Sequence, residues 1–235
     1  MTSKIMNKTD RECEYGKKLL RQPLGKGAVF FLVYGGDCVV NCSFCNLDFN
    51  KIENTIIYET ESFRVIPSVG AFIDGYVLIV TKEHMSSLAE LNDEQKKEYQ
   101  NLVLKISEIF KKVYGKTPIL FEHGTPDIHN SMSANSIIHA HSHIVNFKFE
   151  NEKEILEKYN FVPIKSFEEV EKENYIYFQN GSGEKFVSYQ FDSTSQFMRI
   201  LIANEVNREE QYNWREFDSK ENIVVMLEKI KKSSI

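Results

Sequence analysis

The chain has 235 residues, of which 42% are hydrophobic and 27% charged, with a formal net charge of −5. That length can bury a real core in one embellished domain, and the acidic balance argues against a binder of nucleic-acid backbones, which carries a basic stripe. No apolar run approaches the roughly 20 residues that span a bilayer.

The opening stretch MTSKIMNKTDRECEYGKK is polar and lacks the apolar centre of a signal peptide. Cytoplasm is therefore expected, with neither membrane nor nucleic acid as partner. In a reducing compartment the four cysteines are not expected to be structural disulfides, and three of them crowd into residues 38–45, which suggests a metal.

In chain order, residues 1–26 read as a polar arm with helical tendency. Ala28–Tyr34 (AVFFLVY) is a strand candidate stopped by Gly35-Gly36. Segments 54–59, 62–67 and 76–81 are short, rich in β-branched and aromatic residues, and separated by turn formers, so antiparallel strands are predicted. A long amphipathic helix is predicted from a cap at Asn92 or Asp93 to about Tyr114, with Leu102, Ile106, Ile109 and Val113 at helical spacing and Gly115 closing it. A strand near 118–121, a polar loop to Ser136 and a strand over 137–147 follow.

Beyond residue 150 come an acidic helix (150–159), strands over 174–178 and 185–190, and helices over 195–207 and 219–232. The fold class is α+β, an antiparallel sheet flanked by a long helix, with a smaller C-terminal α/β extension. The expected divisions are an arm (1–26), a main domain (27–150) and an extension packed on it (151–235).

His139, His141 and His143 alternate along the strand between Ile137-Ile138 and Ile144-Val145. Period two would place the three imidazoles on one face, neighbours ~6.6 Å and the outer pair ~13 Å apart. One metal could take two of them but hardly three, so three different roles are expected. Imidazole titrates near neutrality and serves as nucleophile, acid or ligand.

These residues resemble the signature of the histidine-triad superfamily. The likeness extends to Gly75–His84, with its apolar strand and lysine-x-histidine end, to Phe121-Glu122-His123-Gly124, and to Ala134-Asn135-Ser136. It covers roughly residues 40–147; Ser195-Gln196-Phe197-Met198-Arg199 and Trp214-Arg215 look like an extension found in some larger members. The resemblance implies that His141 attacks an α-phosphorus to form a nucleotidyl-histidine and that His143 supplies a proton or hydrogen bond. It also implies that Asn135 and Ser136 contact phosphate, Asn135 replacing the usual glutamine, and that Ser68 lies where relatives place a ribose-contacting acid. Ser142 departs from an apolar position, and Tyr76 stands where many relatives carry a fourth histidine.

Histidine at the third position, His143, is the family's hydrolase pattern, where transferases and phosphorylases carry glutamine. The implied activity is hydrolysis of a nucleoside phosphate derivative of the dinucleotide polyphosphate or phosphoramidate type, in a homodimer. A nucleotidyltransferase or phosphorylase, or a catalytically silent nucleotide-binding protein, is the alternative.

Cys42-x-x-Cys45 has the spacing of a zinc half-site. By the resemblance, Cys42 and Cys45 join His84 and His139 in a closed structural zinc site. Cys38-x3-Cys42-x2-Cys45 also matches a radical-SAM iron–sulfur pattern, a rival that leaves the histidine strand unexplained. Arg199, Arg215, Glu122 and His123 receive no assigned role.

Overall fold

The computed structural model describes residues 42–126, 136–171, 173–191, 194–217 and 219–233. The arm 1–26, the strand candidate at 28–34, and Cys13, Cys38, His129 and Asn135 lie outside them. The chain forms two compact units, Met1–Asn46 and Leu47–Ile235. Of the first, residues 42–46 are described. They make one turn in which the Asn46 backbone N–H and side-chain amide both donate to the Cys42 carbonyl.

In the second unit eight strands among the described residues form one sheet, ordered β1-β2-β3-β5-β4-β7-β8-β6. They are β1 Tyr58–Glu59, β2 Phe63–Pro67, β3 Tyr76–Thr81, β4 Ile119–Gly124, β5 His141–Val145, β6 Val162–Ile164, β7 Tyr175–Gln179 and β8 Lys185–Ser188. Every pairing is antiparallel. The strands of the C-terminal segment complete this sheet through the β4–β7 pairing. β6 was not foreseen, because Val162-Pro163-Ile164 contains a proline; it sits at the sheet's edge, where a missing N–H is tolerated.

The long helix α1, Asp93–Tyr114, starts with a capping box. The Asn92 side chain accepts from the Gln95 N–H, and the Gln95 side chain accepts from the Asn92 N–H. It ends at Gly115, whose φ of +74° is the left-handed conformation that glycine adopts without strain. Tyr99, Leu102, Val103, Ile106 and Phe110 form its buried stripe. They join one core with Val77 and Ile79 of β3, Leu120 of β4, Ile144 of β5 and Tyr175 and Tyr177 of β7. Each such side chain contributes roughly 1.5–3 kcal/mol of burial.

Alternation then fixes the other face. If Ile144 and Leu120 face α1, His141, His143, Phe121 and His123 face away from it. The shorter helix α3, Phe197–Glu205, meets the second face where the Met198 N–H donates to His123, and α2, Glu152–Lys158, is followed by Tyr159, whose ring meets Phe197; α4, Lys220–Ser233, packs against α1. Among the described residues no helix is long and apolar enough to cross a membrane.

Two expected strands are shorter in the structure. Of 54–59 only Tyr58–Glu59 pairs, and Ile52–Asn54 is a 3-10 turn. The histidine strand covers 141–145 instead of 137–147, so His139 precedes it. Its partner β3 ends at Thr81, and beyond that the chain turns, with the His139 N–H donating to the Ile137 carbonyl and the Ala140 N–H to the Met85 carbonyl.

Candidate functional site

Leaving the ladder early aims His139 away from its two successors. Its Nε2 lies 2.8 Å from the Thr81 carbonyl oxygen and 3.0 Å from the Thr81 hydroxyl. A carbonyl only accepts, so Nε2 carries the proton and Nδ1 the lone pair. That Nδ1 faces His84 Nδ1 at 3.2 Å. Two imidazoles bound at 2.0–2.1 Å to one tetrahedral zinc would hold their nitrogens about 3.3 Å apart. A backbone carbonyl fixing the far nitrogen is the usual support of such a ligand. Burial lowers both imidazoles, His139 to about 4, so both are neutral near pH 7 as ligands must be.

In the first unit, Cys42 and Cys45 lie on a single turn. Burial and the neighbouring Cys42 thiol push the Cys45 thiol up to about 12. A Cys45 thiol that resists ionising alone becomes a thiolate beside a cation, the chemistry of a metal half-site.

His141, the first residue of β5, donates Nδ1–H to the carbonyl oxygen of His139 at 2.6 Å. The ring's lone pair is therefore on Nε2. Burial holds this imidazole down at about 4, so it is neutral and nucleophilic near pH 7. The carbonyl that orients it belongs to His139.

His143 stacks flat on Phe121, its cross-strand partner, with centroids 4.4 Å apart at 10°. Its Nδ1 lies 2.8 Å from the Tyr76 hydroxyl. Its ring centroid is 5.0 Å from that of His141 and 5.9 Å from that of His123. Burial above all, with the positive charge of Arg199, holds His143 well below the usual imidazole range. His123 accepts at Nε2 from the Met198 N–H in the first turn of α3, at 3.3 Å, and burial lowers it to about 3.

The C-terminal segment reaches the same face. The Trp214 indole N–H donates to the Ser136 hydroxyl at 3.0 Å, and Arg215 donates to the Ser136 carbonyl at 2.9 Å. Arg199 donates to the Ser68 hydroxyl, the Gly70 carbonyl and the Tyr212 carbonyl. A Cβ on Gly70 would sit 2.6 Å from both Arg199 Nη2 and Trp214 Cβ, so glycine is what lets these side chains approach the main chain there.

The structure thus brings His141, His143, His123 and Tyr76 onto one face, with Ser136 and Ser68 tied to the C-terminal segment; Asn135 lies outside the described residues. Arg199, Trp214 and His123 were given no role by the sequence, yet Arg199 stands against Tyr76, His123 against His143 and Trp214 against Ser136. The available signal was an arginine within the apolar run Phe197–Ala203, since arginine is almost never fully buried without a partner.

Residues 41–158 match the family model described as "Scavenger mRNA decapping enzyme C-term binding". Over 108 residues the chain is 25% identical to a Bacillus subtilis protein named "Protein hit", covering 46% of this chain and 72% of that one. A solved structure titled as a hypothetical histidine triad nucleotide-binding protein from Sulfolobus tokodaii aligns with 82% of this chain and 91% of its own, at 16% identity and a TM-score of 0.44. A zinc-bound histidine triad family protein from Mycobacterium smegmatis aligns with 48% of this chain and 80% of its own, at 18% identity and a TM-score of 0.37.

Proposed function

This chain belongs to the histidine-triad superfamily, its residues 41–158 falling in the family of the scavenger mRNA decapping enzyme C-terminal region, and from that premise we propose that it is a nucleotide hydrolase acting at an α-phosphate. The observation that carries the reading is the bond from His141 Nδ1–H to the His139 carbonyl, which leaves a neutral imidazole with its lone pair on Nε2. In the first step that lone pair forms a bond to the α-phosphorus, and the bond from phosphorus to the leaving oxygen or nitrogen breaks. His143 hydrogen-bonds the departing atom and assists its protonation. In the second step water attacks the same phosphorus, its proton passing to the nitrogen of His143 that served the leaving atom, while the nitrogen–phosphorus bond breaks and the electron pair returns to Nε2. Two in-line displacements through one nucleophile keep the phosphate in one cradle.

Histidine at position 143 supports water as the second acceptor, because its ring can exchange a proton where a glutamine could only hydrogen-bond. We assign Ser136 and Asn135 to the phosphate. Ser68 goes to the ribose side, its hydroxyl accepting from Arg199 while keeping its own proton to donate. The substrate class is a dinucleotide polyphosphate or a nucleoside phosphoramidate.

Cys42, Cys45, His84 and His139 each offer one ligand atom to a metal, and we assign them to one zinc. The donor set fits: two cysteine sulfurs at knuckle spacing, and two neutral imidazoles with nitrogens at the spacing of a shared tetrahedral ion. When bound, zinc would hold the His139 main chain, whose carbonyl orients His141. An all-antiparallel sheet gives no support to the radical iron–sulfur alternative. A cytoplasmic homodimer completes the reading, checked by light scattering of the purified protein and by fractionation of cells.

The test is turnover of a panel of dinucleotide polyphosphates and phosphoramidates by wild type and His141→Gly. Loss of turnover in the variant with retained folding is expected; turnover at the wild-type rate would remove His141 as nucleophile.

A further inference from the structure

Arg199, on the first turn of α3, is 2% exposed. Its Nε donates to the Tyr212 carbonyl at 2.8 Å, its Nη2 to the Gly70 carbonyl at 2.6 Å and its Nη1 to the Ser68 hydroxyl at 3.4 Å. All three acceptors are neutral, and among the described residues no carboxylate forms an ion pair with it. A buried guanidinium normally sits against an anion. Here its charge faces aromatic rings instead, 5.1 Å from the centroid of Phe72 and 5.2 Å from that of Tyr76. Tyr76 is fully buried on β3, and its hydroxyl lies 2.8 Å from Nδ1 of His143.

The direction of that bond decides which nitrogen of His143 holds the proton. A phenol has one proton and one set of lone pairs to distribute. The Arg199 guanidinium lies 5.2 Å from the centroid of the Tyr76 ring, so its positive charge acts on the phenol. A nearby cation favours the phenol's lone pairs over its proton, so the proton is better spent on the bond to His143 Nδ1, 2.8 Å from the oxygen. In the reverse arrangement His143 Nδ1–H would donate to the oxygen, and the phenol would keep an unspent proton in the field of the guanidinium.

We propose that Arg199, acting through the Tyr76 hydroxyl, sets the tautomer of His143, so that its Nδ1 accepts and its Nε2–H is presented as a donor to the bound nucleotide. Arg199 and Tyr76 are positioning residues; neither touches the reacting atoms. An Nε2 carrying a proton hydrogen-bonds phosphate oxygens and the departing atom, whereas an Nε2 lone pair would repel both. Tyr76 thereby does with a hydroxyl what the resemblance would have left to a fourth histidine, and the C-terminal segment supplies the charge that polarises it. The catalytic consequence rests on the role given to His143 above; the tautomer itself does not.

The test is a long-range proton–nitrogen correlation spectrum of the full-length zinc-loaded protein with nitrogen-15 in its histidines. His143 is assigned by the signal lost in His143→Gln. Expected in the wild type is a single neutral species of His143 protonated on Nε2. Tyr76→Phe and Arg199→Gln should each convert it to a mixture or to the Nδ1–H form, whereas Arg199→Lys, which keeps the charge, should preserve it. Turnover in Tyr76→Phe should fall by about 10- to 100-fold in kcat with little change in KM. A wild-type His143 protonated on Nδ1, or a tautomer unmoved in Tyr76→Phe, would overturn the proposal, and Tyr76→Phe keeps the test open should Arg199→Gln not fold. The tautomer is read without nucleotide, so absence of turnover would count against the hydrolase reading and leave this assignment standing.

Discussion

Glu122 sits on the sheet face opposite the histidines and gives the sharpest prediction about the fold. It is 1% exposed, accepting from the Leu88 N–H at 2.8 Å and from the Tyr175 hydroxyl at 2.6 Å. Tyr175 reaches it because its ring lies across Gly124, where a Cβ would come within 2.1 Å of a ring carbon. Burial lifts the Glu122 carboxyl from 4.5 to about 8, against the opposing effect of those two donors. In the folded protein Glu122 is therefore protonated at pH 7, while in the unfolded chain it is ionised.

The sign follows. Between 4.5 and about 8 the unfolded chain binds fewer protons at this group than the folded one, so stability falls as pH rises. The contribution is fully present below 4.5 and lost by about pH 8. One unit is worth about 1.4 kcal/mol, so from pH 5 to pH 8 the loss approaches about 4 kcal/mol as an upper bound. Buried histidines with lowered values act in the opposite sense up to about pH 6.5, so the informative quantity is a difference between two proteins at each pH. Glu122→Gln keeps an acceptor for Leu88 and cannot ionise. Urea denaturation of both proteins at pH 5, 6, 7 and 8 should show the variant gaining on wild type by roughly 1 kcal/mol per pH unit. A difference that stays constant over that range would refute the assignment of a neutral buried carboxyl.

Other expectations are independent of that one. Cys42→Ser should drop bound zinc from one per chain to well below it by elemental analysis and lower the melting temperature; unchanged zinc content would dissolve the ligand set. His143→Gln should reduce kcat by ~10²–10⁴-fold on a phosphoramidate while leaving His141 able to react, measured by product release in steady state. Asn92→Ala removes half of the capping box of α1 and should cost about 1 kcal/mol, a fall of roughly 2–4 °C in melting temperature.

What the residues disclose in advance divides along the range of the interactions. The helix α1 was legible because Asn92, the apolar spacing through Phe110 and Gly115 act within a few residues of one another. β2 and β3 were legible as β-branched runs. The extent of the histidine strand was not, because it ends where β3 ends, at Thr81, some sixty residues away. Treating 137–147 as a strand put all three imidazoles on one face, and the bend at His139 instead aims one at His84. The joining of β7 to β4 depends on the packing of Tyr175 over Gly124, which no local pattern announces. Arg199 lies 123 positions from Tyr76 in the chain, so its place beside that ring could be known only from the folded chain. The alternation of His139, His141 and His143 and the spacing of Cys42 and Cys45 were legible as patterns because both are short-range signals.

The most direct measurement is mass spectrometry of the protein quenched during turnover of a dinucleotide polyphosphate or phosphoramidate, with peptide mapping under conditions that preserve acid-labile nitrogen–phosphorus bonds. The account expects one nucleotide monophosphate attached, mapped to His141, absent in His141→Gly and destroyed by acid. An adduct mapped to another residue, or steady turnover with none trapped even in His143→Gln, would contradict it.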